Sequence, residues 1–405
     1  MRIALFTETF LPKIDGIVTR LTKTLEQLDA LGHEVLIFAP GRPPKTFGSF
    51  EVVAVPAVPF FAYPEVKFGI PWPKDFQRLR EFKPDVIHAV NPVWTAGCGV
   101  LAAKALGIPL VASFHTNVPE YTEELGIAWL KKPAATAINF LHNQAQINLC
   151  TSGPMVDKAR GLGMKNVELW PKAVDTVTYH PDKATEQMRS LLSSGNPDAP
   201  VVSYIGRISK EKHLHELSNI MELVRERVPN ARLAMVGSGP NIEQLKHEFK
   251  SDFCTFTGYL SGDDLSAAFA SSDVFVFPSR TETLGLVALE SMASNVPVIG
   301  ARAGGIPFVL DDQETGFLIE PAAPLGVHEV PQADIDVENR SWADAIVTLL
   351  TDDSLRERMG KAGREEALRH SWLESTRSVV DVYERAIVRK DNAMRKDNAM
   401  RKEKA

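Results

Sequence analysis

Cysteine is scarce in this 405-residue sequence, and its three copies form no recognisable pattern. Cys98, Cys150 and Cys254 are far apart, and each lies in or beside an apolar run. A disulfide framework usually needs an even number of cysteines, and a structural metal site needs closely spaced Cys or His ligands. We therefore expect buried thiols in a reducing compartment and no bound metal.

Long apolar runs and an excess of basic residues are also missing. The longest uncharged stretch, residues 86–103, is broken by His88, Asn91 and Pro92, which makes it a weak candidate for a membrane span. Glu8 interrupts the apolar start of the chain, which is untypical of a secretory signal. The formal net charge is −6, whereas a nucleic-acid-binding protein usually carries a basic excess. We expect a cytoplasmic protein with no nucleic-acid partner, attached at most peripherally to the cytoplasmic face of a membrane.

The sequence does have two successive series of short apolar runs that alternate with helix-like segments. In the first series, Leu21, Leu25 and Leu28 recur at helical spacing and predict a helix over residues 18–31, which Gly32 ends. The strand candidates of this series are residues 3–6, 35–38, 52–55, 86–90, 110–114 and 147–150. Those of the second series are residues 201–205, 233–236, 253–256, 274–277, 298–299 and 317–319. This alternation predicts an α/β fold class with two doubly wound, Rossmann-like domains that face each other across a cleft.

The same pattern divides the chain into four segments. We predict a first domain over residues 1–175, a second over 176–370, a helix over 371–388 that packs back on the first domain, and a charged tail over 389–405. The tail repeats one hexapeptide twice, and its seven Lys or Arg against three Asp or Glu give it a net charge of +4. Two interpretations of this tail stay open: it is a solvated extension, or it binds an anionic surface.

The strongest chemical signal is the segment PSRTETLGLVALESMA at residues 278–293, directly after a predicted strand. A helix is predicted to open near Gly285, where the missing side chain lets a ligand approach the backbone. Free amides at a helix N-terminus bind phosphate groups. Glu282 lies just before this helix and Glu290 lies within it, so that one carboxylate can meet a sugar and the other a ribose diol.

This segment resembles the E-x7-E signature of glycosyltransferase family 4, the retaining glycosyltransferases of the GT-B fold. Four further landmarks agree in order: Phe10-Leu11-Pro12 with Asp15-Gly16-Ile17, Gly206-Arg207 with Glu211-Lys212, Val236-Gly237-Ser238-Gly239-Pro240, and Gly258-Tyr259. Each motif is weak alone, but together they are specific, and the resemblance spans about residues 2–388.

The resemblance implies a role for each of the two domains. The first is expected to bind the acceptor and the second a nucleotide-sugar. The catalytic residues implied are His115, Glu282, Arg207 and Lys212. The donor-binding residues implied are Gly16, Ile17, Arg207, Lys212, Gly239, Tyr259, Glu282, Leu284, Gly285, Leu286 and Glu290. Thr116, Asn117 and Tyr121 are implied acceptor contacts.

The chemistry of these residue types agrees with the resemblance. A diphosphate leaving group gains negative charge as the glycosidic bond breaks, and Arg207 and Lys212 would stabilise that charge. We find no covalent nucleophile. The family is thought to transfer the sugar on one face, with the leaving phosphate assisting deprotonation of the acceptor, which implies a hexosyltransferase that forms an α-linkage. No cofactor is required, and the one D-x-D match, at residues 334–336, lies far from the signature and is interpreted as coincidence.

Two histidines follow or lie in predicted strands of the first domain. His115 ends the strand 110–114, and the resemblance implies that it contacts the transferred sugar. A core histidine that is satisfied by the backbone is the alternative. His88 has a similar location, and both interpretations stay open for it.

The start of the chain narrows the resemblance to one subgroup. Residues 7–20 are very similar to the beginning of the sulfolipid synthases, and residues 113–117 with Tyr121 also fit them. Those enzymes move sulfoquinovose from a UDP donor to diacylglycerol. Relatives that transfer mannose, glucose or another hexose from a UDP or GDP donor to a glycolipid acceptor share these motifs and are the alternative. Lys13 and Arg20 are cationic candidates for holding a sulfonate.

Two apolar segments bear on a lipid acceptor. Residues 58–73 and 125–132 combine large apolar or aromatic side chains with loop formers or lysines, which suits either a membrane interface or ordinary core and loop packing. Two rival functions are weaker. A phosphorylase or epimerase would need a cofactor lysine site or an allosteric dimer site, and a non-enzymatic subunit would have lost some of Arg207, Lys212, Glu282 and Glu290.

Overall fold

The structure, a computed structural model, describes residues 1–13, 15–60, 63–115, 129, 131–249, 253–324, 327 and 329–403. The chain forms two compact units. Unit 1 comprises Met1–Pro171 together with Trp372–Ala405, and unit 2 comprises Lys172–Ser371. The division thus falls four residues before the predicted one at residue 175, and the C-terminal helix belongs to the first unit.

Strands and helices alternate along the described chain. The strands are β1 (Arg2–Thr7), β2 (Glu34–Pro40), β3 (Thr46–Phe47), β4 (Phe50–Val55), β5 (Ala57–Phe60), β6 (Tyr63–Gly69), β7 (Val86–Val90), β8 (Leu110–Phe114), β9 (Ile147–Cys150), β10 (Val167–Leu169), β11 (Val201–Ile205), β12 (Arg232–Val236), β13 (Cys254–Gly258), β14 (Val274–Phe277), β15 (Val298–Ala301) and β16 (Gly316–Ile319). The helices are α1 (Gly16–Ala30), α2 (Pro73–Phe82), α3 (Thr95–Leu106), α4 (Lys131–His142), α5 (Gly153–Gly161), α6 (Glu186–Leu192), α7 (Glu216–Arg227), α8 (Ile242–Glu248), α9 (Gly262–Ala270), α10 (Leu286–Ala293), α11 (Gln332–Thr351), α12 (Asp353–Leu368) and α13 (Trp372–Glu403).

Unit 1 is built on an eight-stranded sheet with the order β10-β9-β8-β7-β1-β2-β4-β3, in which only the β3–β4 pair is antiparallel. Successive residues of β1 point to opposite faces, as the two-residue period of a strand requires. Ile3 and Leu5 pack with α1 and α13 on one face, whereas Ala4 and Phe6 pack with α3 on the other. Both faces are therefore covered, as predicted for a parallel sheet.

Unit 2 is built on a six-stranded, fully parallel sheet with the order β13-β12-β11-β14-β15-β16. Numbered from β11, this is the 3-2-1-4-5-6 order of the doubly wound dinucleotide-binding fold. The strand order reverses between β11 and β14. Ligands of such sheets bind beyond the carboxyl ends of the strands at this reversal, so the topology alone selects the loops after β11 and β14.

All twelve predicted strands coincide with strands of the structure, and their ends agree within two residues. The predicted helix over residues 18–31 is α1, which begins two residues earlier because Asp15 caps it by accepting hydrogen bonds from the amides of Ile17 and Val18. Four strands were missed. Two of them, β5 and β6, form an antiparallel hairpin that largely coincides with the first part of the apolar segment of residues 58–73.

The C-terminal segment differs from its prediction. We expected the helix to end at residue 388, but the backbone of α13 continues without a break to Glu403. The repeat has no Gly or Pro and consists largely of good helix formers, so nothing in it ends the helix. The first half of α13 packs on α1, and Arg385 and Arg389 form ion pairs with Glu168 of β10. None of the described helices is long and apolar enough to cross a membrane.

Candidate active site

The loops after β11 and β14 carry the predicted catalytic groups of unit 2. Residues 206–209 and a short 3-10 turn, Lys210–Lys212, follow β11, and residues 278–285 join β14 to α10. Lys212 Nζ donates to Glu282 Oε1. This hydrogen bond joins the two loops at the point where the strand order reverses. Each side chain of this pair is only 18% exposed, so a largely buried cation is held where a ligand of this fold binds.

Glycines let a third loop approach the loop that carries Arg207. A Cβ added to Gly237 would lie 1.9 Å from the carbonyl oxygen of Gly206, and one added to Gly239 would lie 2.1 Å from that of Ile208. The amide of Ile208 donates to the carbonyl of Ser238 across this contact. The backbone of residues 206–208 and that of residues 237–239 are therefore in direct contact. This packing requires glycine at positions 237 and 239.

The tyrosine of β11 holds the same loop from the other side. The buried Tyr204 hydroxyl donates to the carbonyl oxygen of Arg207 at 2.7 Å, which fixes the backbone that directs the Arg207 side chain. Burial raises the pKa of Tyr204 well above its ordinary value, so this hydroxyl keeps its proton and remains a donor.

The second carboxylate of the signature lies in an apolar setting. Gly285 adopts a left-handed conformation, with φ of 87°, and α10 begins at the next residue. Glu290 lies in α10 beside Tyr179, whose hydroxyl hydrogen-bonds to it. Burial raises the pKa of Glu290 to about 7, an effect that the Tyr179 hydrogen bond opposes. Glu290 therefore changes between its protonated and its ionised form near neutral pH.

The remaining predicted donor-binding residues of unit 2 differ in how deeply they are buried. Tyr259 directly follows β13 and is 56% exposed, so it is available for stacking. Leu284 is buried in the core, where it shapes the loop, and Leu286 packs against that core. The sequence alone could not separate the exposed aromatic ring from the two packing residues.

Two glycines that sequence reasoning missed set the position of Glu282. The amide of Gly305 donates to the Glu282 carbonyl oxygen at 2.7 Å. A Cβ on Gly304 would lie 2.4 Å from the same oxygen, and one on Gly305 would lie 2.3 Å from that of Thr283. The Gly-Gly pair after β15 was the available signal, because adjacent glycines often mark a close backbone approach.

A charged cluster that was also missed anchors the middle of the signature loop. Arg280 is largely buried and forms ion pairs with Glu216 of α7 at 3.1 Å and Glu338 of α11 at 2.9 Å. Glu338 also accepts a hydrogen bond from the amide of Ala322. Arg280 therefore fixes the loop two residues before Glu282 to two helices.

In unit 1, the corresponding reversal lies between β1 and β7, and Glu8 occupies it. The Glu8 carboxylate accepts hydrogen bonds from four amides at the start of α3, those of Val93, Trp94, Thr95 and Ala96. The helix N-terminus that would attract an anionic ligand is thus satisfied by the protein itself. Burial nevertheless raises the pKa of Glu8.

The predicted residues of the first βα loop lie at the start of α1. Gly16 is exposed with open space around its Cα, and Ile17 is half-buried. Lys13 pairs with Asp15 at 3.1 Å. Arg20 is different from its prediction: only 1% of it is exposed, its guanidinium lies 5.0 Å from the Trp170 ring, and no acidic side chain among the described residues pairs with it. As a buried group it is not open to a sulfonate.

His115 lies buried at the end of β8, where its Nε2 is 2.9 Å from the Ser113 hydroxyl oxygen. His88 shares this hydroxyl, also at 2.9 Å, and its Nδ1 is 2.8 Å from the Tyr383 hydroxyl oxygen. Both His88 nitrogens are thus satisfied within the core, so His88 itself has no ring nitrogen left for a substrate. The predicted acceptor contacts Thr116, Asn117 and Tyr121 lie outside the described residues.

The comparisons with known proteins agree with this geometry. Residues 199–352 match the group described as Glycosyl transferases group 1, and residues 14–178 match Glycosyltransferase Family 4. Among solved structures, a sucrose-phosphate synthase from Thermosynechococcus elongatus has a TM-score of 0.73 at 21% identity, covering 96% of this chain and 99% of that one. The protein is a glycosyltransferase, and its fold class is GT-B.

Three relatives of known name show which glycosyltransferase family the chain belongs to. The sulfoquinovosyl transferase SQD2 of Arabidopsis thaliana is 37% identical, over 93% of this chain and 72% of the relative. A GDP-mannose-dependent alpha-mannosyltransferase of Mycolicibacterium smegmatis is 31% identical, over 96% of this chain and 99% of the relative. An alpha-monoglucosyldiacylglycerol synthase of Streptococcus pneumoniae is 26% identical, over 76% and 72%. The chain belongs to glycosyltransferase family 4.

Proposed function

We propose that this enzyme transfers sulfoquinovose from UDP-sulfoquinovose to diacylglycerol, with retention, and so forms the α-linked sulfolipid sulfoquinovosyldiacylglycerol. The observation that carries the choice of sugar is the 37% identity with a sulfoquinovosyl transferase over 93% of this chain. A diacylglycerol acceptor is supported by the similarity to an alpha-monoglucosyldiacylglycerol synthase. The similarity of residues 7–20 to the sulfolipid synthases supports the same choice.

The residues of unit 2 have separate tasks in the proposed reaction. Lys212 and Arg207 stabilise the charge that the diphosphate gains as it leaves. Glu282 orients Lys212 through their ion pair and meets the sugar. Glu290 accepts from the ribose diol in its ionised form, and Tyr259 stacks on the base. The leaving phosphate takes the acceptor proton, so that no protein nucleophile and no metal or other cofactor is needed.

A membrane-bound acceptor requires the enzyme to reach a lipid surface, and we propose a peripheral attachment. Trp129 is 76% exposed and Phe140 in α4 is 55% exposed, with Lys132 exposed between them. Exposed aromatic side chains beside lysines suit the interface of an anionic membrane.

The alternative is a related family 4 enzyme that transfers mannose, glucose or another hexose to a glycolipid. The mannosyltransferase of Mycolicibacterium smegmatis and the glucosyldiacylglycerol synthase of Streptococcus pneumoniae favour this reading. The two functions share the unit 2 site and differ only in the donor and the acceptor.

A donor screen distinguishes the two functions. Purified protein is incubated with UDP-sulfoquinovose, UDP-glucose or GDP-mannose on diacylglycerol vesicles, with and without EDTA, and the glycolipid is identified by mass spectrometry. We expect sulfoquinovosyl lipid from UDP-sulfoquinovose alone, unaffected by EDTA. A product from either of the other donors, with none from UDP-sulfoquinovose, would contradict the proposed specificity and support the alternative.

A further inference from the structure

A chain of four hydrogen-bonding side chains runs through the core of unit 1 and ends at His115. It starts at the Tyr383 hydroxyl on α13, passes through His88 on β7 and Ser113 on β8, and reaches His115 Nε2. The three links measure 2.8, 2.9 and 2.9 Å. All four residues are at most 3% exposed. We name this chain the tyrosine relay.

Ser113 forces its two histidine neighbours into opposite protonation at Nε2. Its hydroxyl oxygen lies within hydrogen-bond distance of both Nε2 atoms but carries a single hydrogen. It can donate to one of the histidines only, and within the described residues the hydroxyl has no other acceptor for this hydrogen, so the second histidine donates to it. The relay therefore has two possible directions, and each of them fixes both tautomers.

Tyr383 selects between the two directions. Within the described residues, its hydroxyl has no hydrogen-bond partner other than His88 Nδ1. If His88 Nδ1 donated, the tyrosine hydrogen would be left without an acceptor in a buried site, which is costly. With Tyr383 as the donor, His88 carries its proton on Nε2, donates to Ser113, and Ser113 donates to His115 Nε2. Every donor from Tyr383 to Ser113 is then satisfied.

The surroundings keep the relay uncharged. Burial lowers the pKa of His88 to about 3, and burial, with Arg20 as the next contributor, lowers the pKa of His115 well below its ordinary value. Burial also raises the pKa of Tyr383. The Trp170 ring packs on both histidines, with ring centroids 5.7 Å from His88 and 5.4 Å from His115, and restricts their rotation.

We propose that Tyr383 is a positioning residue of the transfer reaction, which acts through His88 and Ser113 to hold His115 as the neutral tautomer with its proton on Nδ1. This nitrogen has no hydrogen-bond partner within the described part of the chain. It is thus the donor left for an oxygen of a bound substrate. This last step rests on the proposed function, whereas the tautomer itself does not.

The tautomer is measured on the donor-free protein by long-range proton–nitrogen NMR of 15N-histidine-labelled enzyme, with His115→Gln and His88→Gln used for assignment. We expect His115 to carry its proton on Nδ1 in the wild type and to become a mixture of tautomers in Tyr383→Phe. Ser113→Ala, which breaks the relay at its centre, is the second variant and should also give a mixture. Thr376→Val is the matched control, since it removes another buried hydroxyl of α13, one with no hydrogen-bond partner in the described part of the chain, and should leave the spectrum unchanged.

Turnover provides the second readout. We expect Tyr383→Phe to lower kcat roughly tenfold with a smaller change in KM, and Thr376→Val to retain activity. A wild-type His115 with its proton on Nε2, or a Tyr383→Phe spectrum identical to that of the wild type, would overturn the proposal even if kcat fell. If instead the NMR result holds while no sugar donor is used, the tautomer assignment stands and the proposed function fails.

Discussion

At the scale of single residues, the ion pair between Lys212 and Glu282 is the feature on which we expect transfer to depend most directly. Removing one preorganised group that stabilises developing charge typically costs about 100- to 1000-fold in kcat. We expect a loss of this size in Lys212→Ala and in Glu282→Ala, measured as initial rates with the donor that the screen identifies. Lys210→Ala is the control, because Lys210 lies exposed in the same turn. Unchanged circular dichroism and near-wild-type rates in either Lys212→Ala or Glu282→Ala would remove that residue from the site.

Glu290 links the same signature to the stability of the protein. Its pKa is raised by burial to about 7, so that at pH values between about 4.5 and 7 the folded protein holds a proton that the unfolded chain has released. The free energy of unfolding should therefore fall as the pH rises through this interval. Thermal unfolding followed from pH 5 to pH 8 should show a smaller decline in Glu290→Gln than in the wild type. The exposed Glu222→Gln in α7 should behave as the wild type, and parallel curves for all three proteins would contradict the assignment.

At the scale of elements, the loops of unit 2 are held by backbone contacts that only glycine permits. A methyl group at Gly239 would lie 2.1 Å from the Ile208 carbonyl oxygen, so Gly239→Ala must displace the loop that carries Arg207. Overpacking of this kind costs about 1–3 kcal/mol. We expect a lower melting temperature and weaker UDP binding by calorimetry. Gly161→Ala, where the added methyl meets nothing within 4 Å, should lack both effects. UDP binding at wild-type strength in Gly239→Ala would show that the loop contact does not shape the site.

The last turns of α13 form another element with a testable role. Arg389 donates to the Gln146 carbonyl and pairs with Glu168, so a deletion that spares the packed part of α13 begins at residue 390. Each basic residue near an anionic surface contributes about 1 kcal/mol of attraction. We expect loss of residues 390–405 to weaken sedimentation with anionic vesicles roughly tenfold and to leave UDP binding intact. Equal partition of both proteins onto these vesicles would exclude the tail as a membrane contact, and neutral vesicles provide the control.

At the scale of the whole molecule, local patterns were sufficient for the predictions that succeeded. Short apolar runs predicted twelve strands. The resemblance to family 4 pointed to Lys212 and Glu282, whose side chains form an ion pair at the reversal between β11 and β14, while their role in transfer stays a prediction. The misses depend on contacts between distant parts of the chain. Tyr383 meets His88 across 295 residues, and Gly305 holds Glu282 from a different loop. The end of α13 was misplaced for another reason, because a charged repeat without Gly or Pro reads equally well as a solvated tail or as a helix.

The division of the chain also determines how unit 2 is joined to the rest. Its two ends are neighbours, since the amide of Val174 donates to the carbonyl of His370 and Lys172 pairs with Glu366 at 3.0 Å. On the other side, Ser375 donates to the carbonyl of Pro171, so the corresponding ends in unit 1 are neighbours as well. Residues 172–371 are therefore an insertion with adjacent termini, the arrangement that tolerates circular permutation and excision. A single proteolytic nick at either junction would leave both halves covalently connected through the other.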